Sequence, residues 1–144
     1  MNAIDTNVLV YAAFGPDERH ERALDLLRSL AEGHTPWALP WPCVYEFLRV
    51  VTHPRALTKP MQLDEARGRI RSLRGSASCI LLSETERHGE VLDGLLAASG
   101  ATGNLVHDAH IAALCIEHGV SEILTADADF ARFPGLRARN PFAS

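Results

Sequence analysis

The stretch Ala3-Ile4-Asp5-Thr6-Asn7-Val8-Leu9-Val10 sets one aspartate inside a run of small and apolar residues. Asn2 to Asp5 read as a short first strand, and Val8 to Phe14 as an apolar helix entered through a tight turn at Thr6-Asn7. A strand that passes directly into a helix is the opening unit of an α/β chain, and it leaves Asp5 at the strand's C-terminal end. On its own, Asp5 has two readings: a turn residue capping the helix, or one member of a charged site that the rest of the chain completes.

The alternation continues along the chain. After Gly15-Pro16-Asp17, residues Ala23, Leu24, Leu27, Leu30 and Ala31 fall at helical spacing opposite Glu21, Asp25 and Arg28, predicting an amphipathic helix that Gly33 ends. Residues 36–42 (PWALPWP) read as a brief strand bracketed by prolines. A helix follows with Pro42 in its first turn, Val44, Phe47, Leu48 and Val51 on one face, and a stop at His53-Pro54. Leu63, Ala66, Ile70 and Leu73 predict another helix, whose Arg67, Arg71 and Arg74 make a basic edge at i, i+4 and i+7. Residues 77–82 (ASCILL) read as a buried strand, and Ser83 with Glu86 as a capping box opening the helix of Val91, Leu92, Leu95 and Leu96. Gly100 and Gly103 break that helix, residues 104–119 resume one that stops at Gly119, residues 121–130 give a strand and a turn, and 136–139 a last edge strand. Strands alternating with helices predict an α/β fold with a parallel sheet covered on both faces.

At 144 residues, one domain spanning 1–144 is expected. A hydrophobic fraction of 47% and a charged fraction of 22% are those of an ordinary globular protein. No apolar run is long enough to cross a bilayer and no basic segment precedes a hydrophobic one at the N-terminus, so the cytoplasm is expected and a membrane partner is not. Cys43, Cys79 and Cys115 are odd in number, widely spaced and set among apolar residues, which predicts buried thiols rather than disulfides or a zinc knuckle. With a net charge of −4, the overall field repels nucleic acid, so a polyanionic partner must be held by local features.

Ligands of open α/β sheets bind at the C-terminal edge of the strands. Asp5 lies there, and Asp127, just past the apolar residues ending at Leu124, belongs to the same edge. Asp108 shares a helix face with Ala112 and Cys115 and faces inward, while Glu46 sits amid Val44, Phe47 and Leu48 with Arg49 close by. Carboxylates in apolar settings need a counter-ion. Arg49 could serve, or a divalent cation; hard oxygen ligands suit Mg2+ or Mn2+, which bridge carboxylates to phosphate and point to phosphodiester cleavage. Each acid also has a plain structural reading. Glu46 can pair with Arg49, Asp108 can favour a helix N-terminus by about 0.3–1 kcal/mol, and Asp127 or Asp129 can accept turn hydrogen bonds. His107 and His110 have no third zinc ligand at a suitable spacing, and no HExxH motif is present. His53 and His107 are candidates to touch phosphate. Asp17, Glu18, Asp25, Asp64, Glu90 and Asp93 fit exposed helix positions and carry no chemistry.

Four segments, IDTNVLVYA (4–12), YEFLRVVTHPR (45–55), HDAHIAALCIEHG (107–119) and ILTADADFARFPGLR (123–137), together resemble the successive acidic motifs of PIN-domain ribonucleases, specifically VapC-type toxins. The resemblance spans nearly the whole chain, with residues 57–102 contributing little. It implies a three-layer α/β/α sandwich whose acids bind Mg2+ or Mn2+ and cut RNA as the toxic half of a type II toxin–antitoxin pair. Asp5, Glu46, Asp108 and Asp127 then become metal-binding catalytic acids, with Asp129 either the alternative for the fourth position or a supporting acid behind it. Thr6, Asn7 and Arg49 become supporting groups. Family members are neutralised by a VapB-type antitoxin and commonly form homodimers, and Arg67, Arg71 and Arg74, with Arg69, are candidates for RNA or antitoxin contact beside their ordinary role as a solvated face. The competing reading is a catalytically silent PIN-like module that binds antitoxin or RNA. A haloacid-dehalogenase-like phosphatase also places an aspartate after strand one, but its DxD motif fails because position 7 is Asn7.

Overall fold

The computed structural model describes residues 1–15, 18–55 and 57–143. In chain order the elements are β1 (Asn2–Ile4), α1 (Thr6–Ala13), α2 (Glu18–Glu32), β2 (Trp37–Pro40), α3 (Trp41–Thr52), α4 (Leu63–Arg74), β3 (Cys79–Leu82), α5 (His88–Ser99), α6 (Asn104–Glu117), β4 (Glu122–Leu124), a short 3-10 helix (Ala128–Arg132) and β5 (Arg137–Arg139). The five strands form one sheet in the order β3-β2-β1-β4-β5, and every pairing is parallel.

This order positions the site. The chain steps outward from β1 through β2 to β3, then crosses back over β1 to lay down β4 and β5. Right-handed crossovers therefore put α1 to α4 on one face and α5 with α6 on the other, and the contacts follow: α1 packs on α2 and α3, α3 on α4, and α5 on α6. The result is a three-layer α/β/α sandwich. The direction of winding reverses between β1 and β4, and a crevice opens beyond the C-terminal ends of these two strands. The core lies on both sides of the sheet, with Ala3, Ile4, Trp37, Leu39, Ile123, Ala109 and Ala112 fully buried or nearly so. Along α6 the small residues Ala109, Ala112 and Ala113 are buried in this core.

Most boundaries follow the sequence pattern. Pro42 occupies the first turn of α3, which ends with His53 as its C-cap, and Gly100 and Gly119 close α5 and α6 with left-handed φ values of 64° and 72° that favour glycine. Three expectations are corrected. The first helix begins at Thr6 rather than Val8, because Asp5 accepts the Thr6 N–H and caps it directly. The strand at 79–82 is an edge strand and only partly buried, with Ile80 42% exposed and Cys79 on its half-buried face. Ser83 and Glu86 form no capping box; α5 starts at His88, and the turn before it is held by Thr85, whose N–H and hydroxyl both donate to Glu117 on α6. A long-range carboxylate takes over the role that the local motif advertised. At the opposite edge, Arg137 and Arg139 both donate to Glu122 on β4, at 2.8 and 2.9 Å, and hold β5 in place. Of the acids expected at exposed positions, Glu18, Asp25, Asp64, Glu90 and Asp93 are exposed, and Asp17 lies outside the described residues.

Among the described residues, no helix is long and apolar enough to cross a membrane. Truncation at the sheet centre should cost far more than at its edge. Ile123→Ala, in a fully buried position on β4, is expected to lower urea-unfolding stability by about 2–5 kcal/mol, and Ile80→Ala, on edge strand β3, by less than about 1 kcal/mol.

Candidate active site

Asp5 follows β1 directly, and its backbone N–H continues the ladder by donating to the Leu124 carbonyl of β4 at 3.1 Å. Asp5 is 5% exposed. Its Oδ1 accepts the Thr6 N–H at 2.7 Å, and its Oδ2 accepts the Thr125 hydroxyl at 2.7 Å and the Asn7 amide at 3.0 Å. The Cys43 thiol lies 3.7 Å from Oδ1. Asn7 also donates to Thr125 Oγ1 and accepts the Ala126 N–H, each at 3.0 Å, so it bridges the ends of β1 and β4. Thr125 Oγ1, which also accepts the Asp127 N–H at 2.9 Å, thereby uses one donor and two acceptor positions and is saturated. Burial pushes the Asp5 carboxyl above its ordinary range, against the hydrogen bonds from Thr125 and Thr6 that pull it down; the negative charges of Glu46 and Asp127 push the same way as burial.

Glu46, on α3, is clamped from two sides: its Oε2 accepts the Thr6 hydroxyl at 3.0 Å and lies 2.9 Å from His107 Nε2 on α6. The His107 hydrogen bond holds the Glu46 carboxyl below its usual value, and the same bond raises the imidazole. Arg49 stands farther off, 4.0 Å from Glu46 Oε1. The partner expected in Arg49 is thus mainly His107. Asp108, the next residue on α6, is pushed up to about 7, first by burial and then by the charges of Asp127 and Asp5. Asp127 caps the 3-10 helix by accepting the Asp129 N–H at 2.9 Å.

Asp5, Glu46, Asp108 and Asp127 all line one hollow of about 210 Å3. It shares the last three with a larger cleft of about 700 Å3, whose walls add Tyr45, Arg49, Asn104, His107 and Asp129. Carboxylate oxygens of Asp108, Asp127 and Asp129 lie within 4.8 Å of one another, so Asp129 stands beside Asp127 at the cleft. Crowded all-oxygen donors of this kind fit a hard divalent ion such as Mg2+ or Mn2+.

Several other assignments separate. His53 accepts the Arg55 N–H at the end of α3 and does not line the cleft. Arg67 pairs with Asp64, Arg69 with Glu65, and Arg74 stacks over Trp41; with Arg71, none of them reaches the acids, because α4 packs behind α3. His107 and His110 diverge, one to Glu46 and the other to Glu84. Two residues, one buried behind Asp5 and one on the cleft wall, were not anticipated. Thr125 heads the TADAD segment one residue past β4, where a side chain must meet Asp5. Tyr45, 65% exposed and stacked on Trp41, looks in sequence like any other aromatic of α3.

An aspartate with a folded-state value raised from 3.8 to about 7 binds more protons folded than unfolded in that window, so the metal-free protein loses stability as pH rises through it. Asp108→Asn should therefore raise the thermal midpoint in EDTA at about pH 8 by ~2–4 °C, the equivalent of roughly 1 kcal/mol. Below about pH 3, where Asp108 is protonated in both the folded and the unfolded chain, the difference should vanish.

Residues 3–136 match the PIN domain family. Ribonuclease VapC37 of Mycobacterium tuberculosis is 33% identical over 141 residues, covering 98% of this chain and 97% of the relative. In three dimensions the chain resembles VapBC2 from Rickettsia felis, solved bound to a promoter DNA fragment, with a TM-score of 0.68 at 19% identity and coverage of 96% and 97%. It likewise resembles a toxin-antitoxin complex from Klebsiella pneumoniae, with a TM-score of 0.65 at 18% identity and coverage of 99% and 98%. A four-acid crevice at the β1/β4 switch point and a family match over almost the whole length agree: the chain belongs to the PIN-domain family, as a homologue of the VapC ribonucleases.

Proposed function

We propose that this protein is a Mg2+- or Mn2+-dependent endoribonuclease that hydrolyses RNA phosphodiester bonds in the cytoplasm as the toxic component of a type II toxin–antitoxin pair. The observation that carries the reading is the convergence of Asp5, Glu46, Asp108 and Asp127 on one hollow, with Asp108 raised to about 7 by burial and its neighbours' charge. A divalent cation held by these oxygens would supply an activated water and neutralise charge on the phosphate.

The remaining chemistry falls to side chains of the chain itself. Thr125, Asn7 and the Thr6 N–H fix the Asp5 carboxylate so that it need not reorganise when a ligand arrives. His107 and Thr6 orient Glu46. Arg49, on the cleft wall, offers a cation for the RNA backbone, and Tyr45 offers an exposed ring for an unstacked base, the mode by which single-stranded RNA is commonly held. The silent-module alternative leaves the clustered carboxylates costing stability with nothing in return.

An antitoxin is the expected protein partner, in keeping with the complexes the fold resembles. Leu9, Ala12, Leu24, Leu27, Ile70 and Leu73 line an apolar groove of about 290 Å3 between α1, α2 and α4, with Arg28 and Arg69 beside it. Such a groove suits the apolar face of an antitoxin helix with acidic flanks.

Incubated with total RNA, the purified protein should cleave in Mg2+ or Mn2+ and not in EDTA. Asp5→Asn and Asp108→Asn should each lower the rate by at least ~100-fold while circular dichroism stays that of the parent, the loss expected when a group stabilising the transition state is removed. Cleavage by both variants at the parent rate would refute the reading. Thr125→Val should weaken cleavage less, by roughly 10-fold, because it only positions Asp5.

A further inference from the structure

Outside the acid cleft, folding gathers a second set of metal-ligating groups from three separate segments. Glu84 lies in the turn between β3 and α5, His88 is the first residue of α5, and His110 lies one turn beyond His107 on α6. One ligand atom from each of the three lies within 4.8 Å of the other two. His110 Nε2 is 2.8 Å from Glu84 Oε1, and the two imidazole rings meet edge to face at 5.3 Å. All three line a shallow hollow beside the cleft, together with Leu92 and Val106.

The groups behind them are arranged as at a ligating histidine. His88 Nδ1 is 2.6 Å from Glu117 Oε2, and the Glu117 side chain is fully buried. Burial alone would raise that carboxyl, yet the hydrogen bonds from His88 and from the Thr85 N–H and hydroxyl hold it below its usual value. A carboxylate can only accept, so Nδ1 carries the proton and neutral His88 keeps its lone pair on Nε2. A carboxylate that fixes the tautomer of an imidazole in this way is the usual outer support of a metal-bound histidine.

We propose that Glu84, His88 and His110 form a second metal site that takes Zn2+ or a similar borderline transition-metal ion. Two imidazole nitrogens and one carboxylate oxygen are the ligand set of a three-coordinate protein site that leaves one position for water. They favour transition metals over Mg2+, unlike the all-oxygen acids across α6. An ion entering the site replaces the His110 Nε2–Glu84 Oε1 hydrogen bond, and it ties the turn after β3 and the start of α5 to α6. Because His110 also lines the acid cleft, one helical turn from His107, the ion sits against the edge of the nuclease site.

The test uses full-length protein without a histidine tag, carrying Asp5→Asn and Asp108→Asn so that the acid cleft is disabled. Zn2+ is titrated in competition with a chromophoric chelator, and Co2+ is followed by its visible absorption. One Zn2+ per chain is expected, with an intense four-coordinate Co2+ spectrum. His110→Gln and His88→Gln should each weaken Zn2+ by at least ~10-fold, and Glu117→Gln by ~10–100-fold as an outer-shell change does. His110 is the safeguard against misfolding, since it lies at the surface, and circular dichroism of each variant checks the fold. No saturable Zn2+ binding, or binding unchanged by both histidine substitutions, would overturn the proposal. A Co2+ spectrum of only weak six-coordinate type would do the same. None of these outcomes depends on RNA cleavage.

Discussion

A carboxylate that is almost wholly removed from water sits at the end of the central strand, and the surrounding architecture answers to it. Burial of Asp5, reinforced by the charges of Glu46 and Asp127, outweighs its hydrogen bonds, and its carboxyl stays above the ordinary range even with the Thr6, Asn7 and Thr125 donors on its oxygens. Those donors come from both sides of the winding reversal: Thr6 and Asn7 follow β1, and Thr125 follows β4. The hydrogen bonds that make the buried charge tolerable also lock the two strands whose separation forms the crevice. Without cross-strand donors at this point, Asp5 would have to turn outward or lose its charge.

The other acids are held with less compensation. Glu46 has His107 and Thr6, whereas Asp108 has burial and repulsion and is pushed up to about 7. That asymmetry stores a preference for positive charge at the mouth of the crevice. Proteins commonly tolerate such local cost at functional sites and recover stability elsewhere. Here the recovery comes from a core packed on both faces of the sheet and from Glu122 binding two arginines at its edge.

Helix α6 links the layers chemically. His107 reaches across to Glu46 on α3, which belongs to the opposite helical layer, and so closes the site over the ends of the strands. Asp108 points into the same crevice, while His110 turns toward α5 and Glu84. Three polar residues within one turn thus face the acid crevice on one side and Glu84 beside α5 on the other.

The order of elements, the helical stripes, the turn glycines and the placement of Asp5 and Asp127 past strand ends were all legible in the sequence. Each is encoded within a few residues by backbone period and turn stereochemistry. The residues that hold Asp5 were half legible: Thr6 and Asn7 adjoin it, but Thr125 lies far along the chain and its hydroxyl means nothing until β4 is laid beside β1. The Ser83–Glu86 capping pattern misled for the same reason, since Glu117 competes for that turn from another element. Arg67, Arg71 and Arg74 form a helix face in any conformation, and only the packing of α4 decides that this face looks away from the acids. His110 has no ligand partner at a local spacing and acquires one when α5 is docked on α6. The sequence by itself determined what each segment would form and which groups needed partners; tertiary structure alone decided the partners, because hydrogen bonds and charges act over a few ångströms of space regardless of separation along the chain.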